Sequence, residues 1–283
     1  MKKILITGSA GQLGQTLIRL FSSRYEIIST SRSNHIKTDY FLDVTNYILT
    51  RDLVSALSPD IIINLAGLTN VDYCETRPDI AYLVNYHGVK NLVNSFKGPI
   101  IHLSTDYVFD GKKGQYLEED ITNPINEYGR SKLRAEKYLG DFSNDSLIIR
   151  TNVLYDYKSQ SSASFLNWVV NSLKNDKRIS VVTDQINNPT WTNSLAVIID
   201  RAVKKGLNGI IHWGDSDWIS RYDFAIKIAE NFNLKKSLIE PIKTVELNQI
   251  ASRPLKGGLN TSFTEKLLNL KPPKIEDCLH QLK

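Results

Sequence analysis

Cysteine is nearly missing from this 283-residue chain, which has only Cys74 and Cys278. The two lie far apart and at no metal-ligand spacing, so neither a disulfide framework nor a metal site is expected, and a reducing cytoplasm fits. Long apolar runs are missing as well. Lys2 and Lys3 followed by Ile4-Leu5-Ile6 imitate the start of a signal peptide, but Gly8 ends the run short of the roughly 7 to 15 apolar residues a secretory segment needs. No other stretch approaches the roughly 20 residues of a membrane span, so no membrane partner is expected. Charge of one sign is not concentrated: the net charge is +5 and no run of Lys or Arg exceeds two. That reads as a solvated surface with room for an anion pocket, not as a nucleic-acid footprint. Repeats and low-complexity segments are absent. What remains, 41% apolar and 23% charged residues, describes a globular chain long enough for one large domain or a large and a small one, with a core that needs no staples.

The chain opens on a short strand, Lys3 to Thr7, that runs into Gly8-Ser-Ala-Gly11-Gln-Leu-Gly14, after which Leu17, Ile18 and Phe21 form a helical stripe. Strand, glycine turn and helix are the start of a dinucleotide-binding unit, in which glycines let the backbone approach a pyrophosphate seated on free N–H groups. A second strand, Glu26 to Ser29, leads to Arg32. An acidic residue at this strand end would bind a ribose 2′-hydroxyl, whereas Arg suits a 2′-phosphate, so Arg32 favours NADPH, with NADH as the alternative. A solvated surface Arg is the competing reading. Asp43 and Val44 follow where an adenine-binding pair could sit. Leu49, Leu53, Val54 and Leu57 mark another helix, Ile61 to Leu65 a buried strand, and Ala66-Gly67 a break that would let a cofactor approach the strand end. A helix over 84–96, a strand over 99–104 and a strand over 147–150 complete at least five alternations. The expectation is an α/β fold, a doubly wound parallel sheet of Rossmann type.

Between the last two strands lies the stretch that carries chemistry. Tyr128 and Lys132 are four apart in a helical segment, so phenol and ammonium share one face. A positive charge about 5 Å away, at an effective dielectric of about 20, would lower the phenol pKa by roughly two units. Tyr128 could then donate and recover a proton. With 13 tyrosines in the chain, one Tyr-x3-Lys match is expected about once by chance, and Tyr86 with Lys90 is a second. Only Tyr128 is preceded by a strand end carrying hydroxyls, Ser104 and Thr105. Tyr86 and Lys90 read as an ordinary helix surface pair.

Beyond Arg150 the pattern loosens. Residues 157–164 read as a loop, Phe165 to Leu173 as a helix, Ile179 to Val182 as a strand and Asp184 to Thr190 as a turn-rich loop. Thr192 is placed to cap a helix reaching Lys204, Gly209 to Trp213 forms a late strand, and Ser220 with Asp223 suggests a capping box for a helix to Phe232. Further helices are expected near 261–268 and 275–282. The division expected is residues 1–150 as the cofactor domain, rejoined by roughly 186–214, with 151–283 mainly a smaller C-terminal substrate-binding domain.

Thr7-Gly8-x2-Gly11-Gln-Leu-Gly14, the block from Ser104 to Gly111, Tyr128-Gly-x-Ser-Lys132, Asp184-Gln185 with Pro189-Thr190, and Arg253-Pro254 occur in the order seen in dTDP-4-dehydrorhamnose reductases, which are extended short-chain dehydrogenase/reductases. The resemblance covers nearly the whole chain. It implies reduction of a 4-keto group on a nucleotide-linked 6-deoxysugar by NADPH or NADH, with Tyr128 protonating the oxygen. It implies that Lys132 holds the nicotinamide ribose and that Thr105 hydrogen-bonds the carbonyl oxygen or the phenol. Gly8, Gly11 and Gly14 would carry the pyrophosphate, with Gln12 and Leu13 supplying N–H groups. Val71, Asp72, Phe165, Gln185, Pro189 and Arg253 match the substrate side, though packing explains these six equally well. A homodimer is implied by resemblance alone.

The chain departs from the family in one respect that bears on the sugar. Where the reductases show Arg-x-Ser-Trp-Val-Tyr-Gly, this chain has Arg150-Thr-Asn-Val153-Leu-Tyr155-Asp156, and a Val in place of an aromatic wall reshapes a sugar pocket. Ser164 stands where the family has Asn. Two other readings stay open. One is an epimerase or dehydratase of the same superfamily, for which Asp106 beside Thr105 would be the acid. The other is a non-catalytic, cofactor-binding subunit resembling the beta subunit of methionine adenosyltransferase.

Overall fold

In the computed structural model, which describes residues 1–33, 36–157 and 164–282, seven strands form one sheet in the spatial order 209–212, 147–151, 100–105, 61–64, 3–7, 26–31, 40–41. Every neighbouring pair is parallel. Such a sheet must be covered on both faces, which is why its strands read as continuous apolar runs. Ile4, Ile6, Ile61, Ile63 and Ile101 pack on one face with Leu17 and Phe21 of the helix Gln12–Phe21 and with Leu195, Ile198 and Ile199 of the helix Thr192–Lys205. Leu5, Ile62 and Ile100 pack on the other with Val89 and Leu92 of the helix Gly88–Ser95 and with Ala135 and Leu139 of the helix Glu127–Phe142. The loop expected over 157–164 lies largely outside the described residues.

Strand order reverses at Lys3–Thr7, whose neighbours are Glu26–Ser31 and Ile61–Asn64. The carboxyl ends of the first strand and of Ile61–Asn64 therefore frame the crevice where open α/β sheets bind ligands. Gly8 makes this approach possible: it has φ 64°, and a Cβ there would lie 2.7 Å from the Ala66 nitrogen.

A third apolar cluster lies in the C-terminal part, built from Leu166, Val169 and Val170 of the helix Phe165–Lys174, Phe224 and Ile228 of Arg221–Asn231, and Ile275 and Leu279 of Ile275–His280. Asp215 is buried at its edge. Its carboxylate accepts from the Tyr155 hydroxyl at 2.9 Å, the Trp191 N–H at 2.8 Å and the Ser194 hydroxyl at 2.8 Å.

Local structure departs from expectation in two places. The helix expected over 84–96 begins much earlier, as Val71–Thr76, Pro78–Tyr82, a π turn Leu83–His87 and then Gly88–Ser95. In the first two pieces only Cys74 and Ala81 are buried, so no apolar stripe betrays them. The available signal was Asn70, whose side chain accepts the Tyr73 N–H. Thr192 is not a cap, because Trp191 holds that position without a side-chain bond. The Thr192 hydroxyl instead lies 2.9 Å from that of Thr16 and donates to Asp156 at 3.2 Å. Ser220 does cap its helix, accepting the Asp223 N–H at 3.0 Å.

The helix Glu127–Phe142 is fixed by a backbone contact at its start. A Cβ on Gly129 would lie 2.1 Å from the Tyr107 carbonyl oxygen, so only glycine lets this helix rest on the 3₁₀ turn Asp106–Val108. Asn126 caps the helix by accepting the Gly129 N–H at 2.8 Å and donates to the Ser252 carbonyl at 2.8 Å.

Two predictions follow from this packing. Gly129→Ala forces a backbone displacement and lowers stability by at least about 2 kcal/mol, measurable by urea denaturation; a loss below a few tenths of a kcal/mol contradicts the close contact. For Asp215, burial raises the carboxyl from 3.8 to about 7, so the folded chain holds a proton there that the unfolded chain releases. That contribution is complete below about pH 4 and is lost as pH rises through 7. Asp215→Asn flattens this part of the stability profile, and an unchanged slope between pH 4 and 7 contradicts the assignment.

Candidate active site

Thr105 ends the strand Ile100–Thr105. Its hydroxyl accepts the Tyr107 N–H at 3.2 Å, which caps the 3₁₀ turn, and donates to Asp106 at 3.3 Å. The close seat of Gly129 brings Tyr128 over this turn. The Tyr128 and Tyr107 rings meet edge to face at 5.7 Å, and the Thr105 side chain is near enough to the Tyr128 phenol to ease its ionisation.

Lys132, one helical turn on, is 5% exposed. Its amine donates to the Leu103 carbonyl and lies 3.1 Å from His102 Nε2. Burial pushes it down to about 8, opposed by the Glu136 carboxylate on the next turn. Glu136 accepts the Ser104 hydroxyl and is paired with Arg150 at 2.7 Å. Arg150 also donates to His212 Nε2 at 3.3 Å, and His212 Nδ1 to the Tyr116 carbonyl at 3.0 Å.

The electrostatics of Tyr128 differ from those expected from spacing. Burial dominates and pushes the phenol above its usual value; the neighbouring Thr105 hydroxyl lowers it, while Asp106, Tyr107 and Cys74 push it further up. The two-unit depression expected from Lys132 is absent, because an amine that loses its proton near 8 carries no charge at the pH where the phenol ionises. At neutral pH Tyr128 is therefore a protonated donor. Asp106 is raised to about 6 by burial, against the pull of the Gly258 N–H, Arg221 and Thr105.

Of the residues singled out on the cofactor side, Gly8 and Ala66 meet across the crevice. Gly11 is at the N-cap of its helix with no side-chain cap and no acidic residue in the first turn. The first helical bond is Gln15 N–H to Gly11, so the N–H groups of Gln12, Leu13 and Gly14 precede the ladder. A Cβ on Gly11 would meet only the Gly8 carbonyl at 3.4 Å, whereas Gly14 is required by the fold, with Ser9 2.4 Å from its Cβ position. Gln12 Oε1 is buried without a hydrogen-bond partner. An uncapped helix start, open space at Gly11 and an orphaned amide oxygen fit a pyrophosphate-bearing dinucleotide. Leu13 turns its side chain into the core. Exposed Arg32 lies 3.7 Å from Asp43, which joins those two positions. Val44 is buried in the core against Gly88, so its side chain serves packing. Ala66 and Gly67 stand at the strand end opposite Gly8, with Asn85 Oδ1 3.3 Å from the Cβ position of Gly67.

The substrate-side positions divide. Val71 and Asp72 open the helix Val71–Thr76, and Asp72 pairs with Arg253 at 3.0 Å and accepts the Ala251 N–H at 3.0 Å. Phe165 stacks on Phe224 at 5.6 Å and carries the Arg221 guanidinium 5.2 Å from its ring centroid. Gln185 donates to Thr244 at 3.1 Å and Gln249 at 3.4 Å, bracing the 244–249 turn. Pro189 is buried and its carbonyl accepts the Asp215 N–H at 3.3 Å. Val153, where an aromatic was expected by resemblance, has φ 38°, a strained conformation for a β-branched residue. Tyr86 and Lys90 join a ring cluster on Tyr138 at 5.9 Å each, with no hydroxyl-bearing strand end beside them.

Sequence reasoning passed over Arg221, Tyr107 and His102. Arg221 feels the charges of Tyr107, Asp106 and Arg253, and both guanidiniums act on Tyr107, so two positive charges stand near the turn that carries Tyr107. His102 was visible as a lone polar residue within the apolar run Ile100-Ile-His-Leu103. Among the described residues no three His, Cys, Asp or Glu are placed to hold a metal ion, and no helix is long and apolar enough to cross a membrane.

Comparison with known proteins agrees with this geometry. The family model described as RmlD substrate binding domain matches residues 1–282. A dTDP-4-dehydrorhamnose reductase of Aggregatibacter actinomycetemcomitans is 32% identical over all of this chain and 99% of its own length. The methionine adenosyltransferase 2 subunit beta of Xenopus tropicalis is 27% identical over 94% of this chain and 82% of its own. A crystal structure of the dTDP-4-dehydrorhamnose reductase of Bacillus anthracis, in complex with NADP, superposes with a TM-score of 0.92 at 31% identity, covering 100% of this chain and 99% of that one. With the family model matching residues 1–282 and relatives 31% and 32% identical over the full chain, this chain belongs to the RmlD family of extended short-chain dehydrogenase/reductases.

Proposed function

We propose that the chain reduces the 4-keto group of a nucleotide-linked 6-deoxysugar of the dTDP-4-dehydrorhamnose type, using NADPH, within cytoplasmic deoxysugar synthesis. The observation that carries this reading is the seat of Gly129 on the Tyr107 carbonyl, which sets the Tyr128 ring over the turn that Thr105 caps at the end of its strand. The bound nicotinamide would supply hydride to the sugar carbonyl carbon. Oxygen gains negative charge as this happens, and Tyr128 is the acid within reach to give it a proton while Thr105 donates a hydrogen bond to the same oxygen. Lys132 holds the nicotinamide ribose, and the N–H groups of Gln12, Leu13 and Gly14 hold the pyrophosphate. Arg32 takes the 2′-phosphate. Arg221 and Arg253 offer positive charge to the diphosphate of the sugar nucleotide, and Val71 and Phe165 give apolar contact.

The likeness to a methionine adenosyltransferase subunit keeps a binding role as the second reading. It gives no chemical reason for Thr105, Tyr128 and Lys132 to be assembled together. The discriminating assay follows NADPH absorbance with dTDP-4-keto-6-deoxy-L-mannose. Wild type is expected to consume NADPH, and Tyr128→Phe to lower kcat by about 10²- to 10⁴-fold while still binding cofactor. Equal rates would remove Tyr128 as the acid. No consumption by wild type despite NADPH binding would favour the binding role.

A further inference from the structure

The helix Val71–Thr76 is too short and too polar to be held by its own packing. Of its six residues only Cys74 is buried, and a helix of under two turns does not persist in water without outside partners. Polar ties supply them. Asn70 accepts the Tyr73 N–H at 3.0 Å, and Asp72 accepts the Ala251 N–H at 3.0 Å and pairs with Arg253 at 3.0 Å. Glu75, three residues after Asp72 and so on the same side of the helix, accepts the Glu127 N–H at 2.9 Å. One short helix thus holds two segments that are distant in sequence.

Those two segments are also joined to each other. Asn126, fully buried, donates to the Ser252 carbonyl at 2.8 Å. The bonds Glu75 to Glu127, Asn126 to Ser252 and Ala251 to Asp72 therefore close a ring, and they span 52, 126 and 179 residues of sequence. None is a local turn bond. Tyr128 directly follows Glu127 and Arg253 directly follows Ser252, so the expected proton donor and a substrate-side guanidinium hang from the same ring. Within the first turn of the helix Glu127–Phe142, Asn126 takes the N–H groups of Gly129 and Arg130. The Glu127 N–H has no partner inside the helix, and Glu75 answers it from outside, where a carboxylate also suits the helix dipole.

We propose that Glu75 is a positioning residue for Tyr128: its bond to the Glu127 N–H closes the ring and holds the first turn of the Tyr128 helix in register with Arg253. The close seat of Gly129 on the Tyr107 carbonyl is a steric stop, which limits the approach of the helix and does not hold it there. Glu75 supplies an attractive tie at the residue next to Tyr128. A donor displaced by about 1 Å can lose on the order of a hundredfold in rate, so this tie acts on turnover more than on affinity. Asp72, the other carboxylate of the helix, acts on the Arg253 side.

This inference rests on the reductase reading for the role of Tyr128, so its test has one arm that needs no substrate. Glu75→Ala and Glu75→Gln are compared with wild type, the glutamine keeping an acceptor oxygen at the same reach. In the protein alone, NMR reads the ring-to-ring contact of Tyr128 with Tyr107 and hydrogen exchange of the Glu127 amide. Glu75→Ala is expected to weaken the ring contact and speed that exchange at least about tenfold, and Glu75→Gln to restore both. With dTDP-4-keto-6-deoxy-L-mannose and NADPH, Glu75→Ala is expected to lower kcat at least about tenfold with KM within about twofold, and Glu75→Gln to stay near wild type. An unchanged ring contact and Glu127 amide in Glu75→Ala overturns the proposal, as does a rise in KM at unchanged kcat, or a Glu75→Gln chain as impaired as Glu75→Ala. If wild type turns over no substrate, the reductase reading fails and the NMR arm decides alone. Should Glu75→Ala not fold, Glu75→Asp, one methylene short of the Glu127 N–H, takes its place with the same expectations.

Discussion

The site depends on one backbone approach, that of Gly129 to the Tyr107 carbonyl, where a single added carbon would lie 2.1 Å away. Because the helix Glu127–Phe142 can descend that far, Tyr128 reaches Thr105 and Lys132 reaches the interior of the strand that ends in Thr105. Similar contacts bring in the C-terminal part. A Cβ on Gly111 would lie 2.4 Å from Pro254, the Gly111 carbonyl accepts the Lys256 N–H at 2.7 Å, and Asp106 accepts the Gly258 N–H at 3.2 Å. The Ser104–Gly111 block and the Arg253-Pro254 pair are thus two halves of one joint, in which glycine is used because backbone meets backbone.

Burial sets the chemical character of the centre more than any single charge does. It raises Tyr128, lowers Lys132 to about 8 and raises Asp106 to about 6. Each shift brings the group nearer its uncharged form, as desolvation requires. The ion pair between Glu136 and Arg150 lies on the same face of the sheet, with both side chains nearly inaccessible. Breaking one partner of such a pair leaves an uncompensated buried charge. Its Ser104 bond ties it to the strand that positions Thr105, so the pair braces the centre from behind.

Much of this was legible in the sequence. Alternating apolar runs and glycine turns disclosed the parallel sheet and the nucleotide crevice, and the hydroxyl-bearing strand end before Tyr128 separated it from Tyr86. Local rules failed where distant groups decide. Thr192 looks like a cap, yet Thr16 and Asp156 engage its hydroxyl from far along the chain. Spacing put a cation beside Tyr128, but could not show that burial outweighs it or that His102 occupies the lysine. Gln185 and Pro189 were visible as turn residues, while their roles in bracing other segments required the fold. Arg221 left no trace in the sequence, since its partners come from two distant segments, the turn that holds Asp106 and Tyr107 and the helix that begins at Phe165.

The central claim is that this geometry carries out net reduction, with hydride leaving the cofactor for the sugar carbonyl carbon. The most direct measurement incubates the protein with dTDP-4-keto-6-deoxy-L-mannose and NADPH deuterated at the transferring position, then examines the product by NMR. The account predicts one deuterium at sugar C4 and one oxidised cofactor released per product. A product formed without deuterium at C4, or without release of oxidised cofactor, would contradict it.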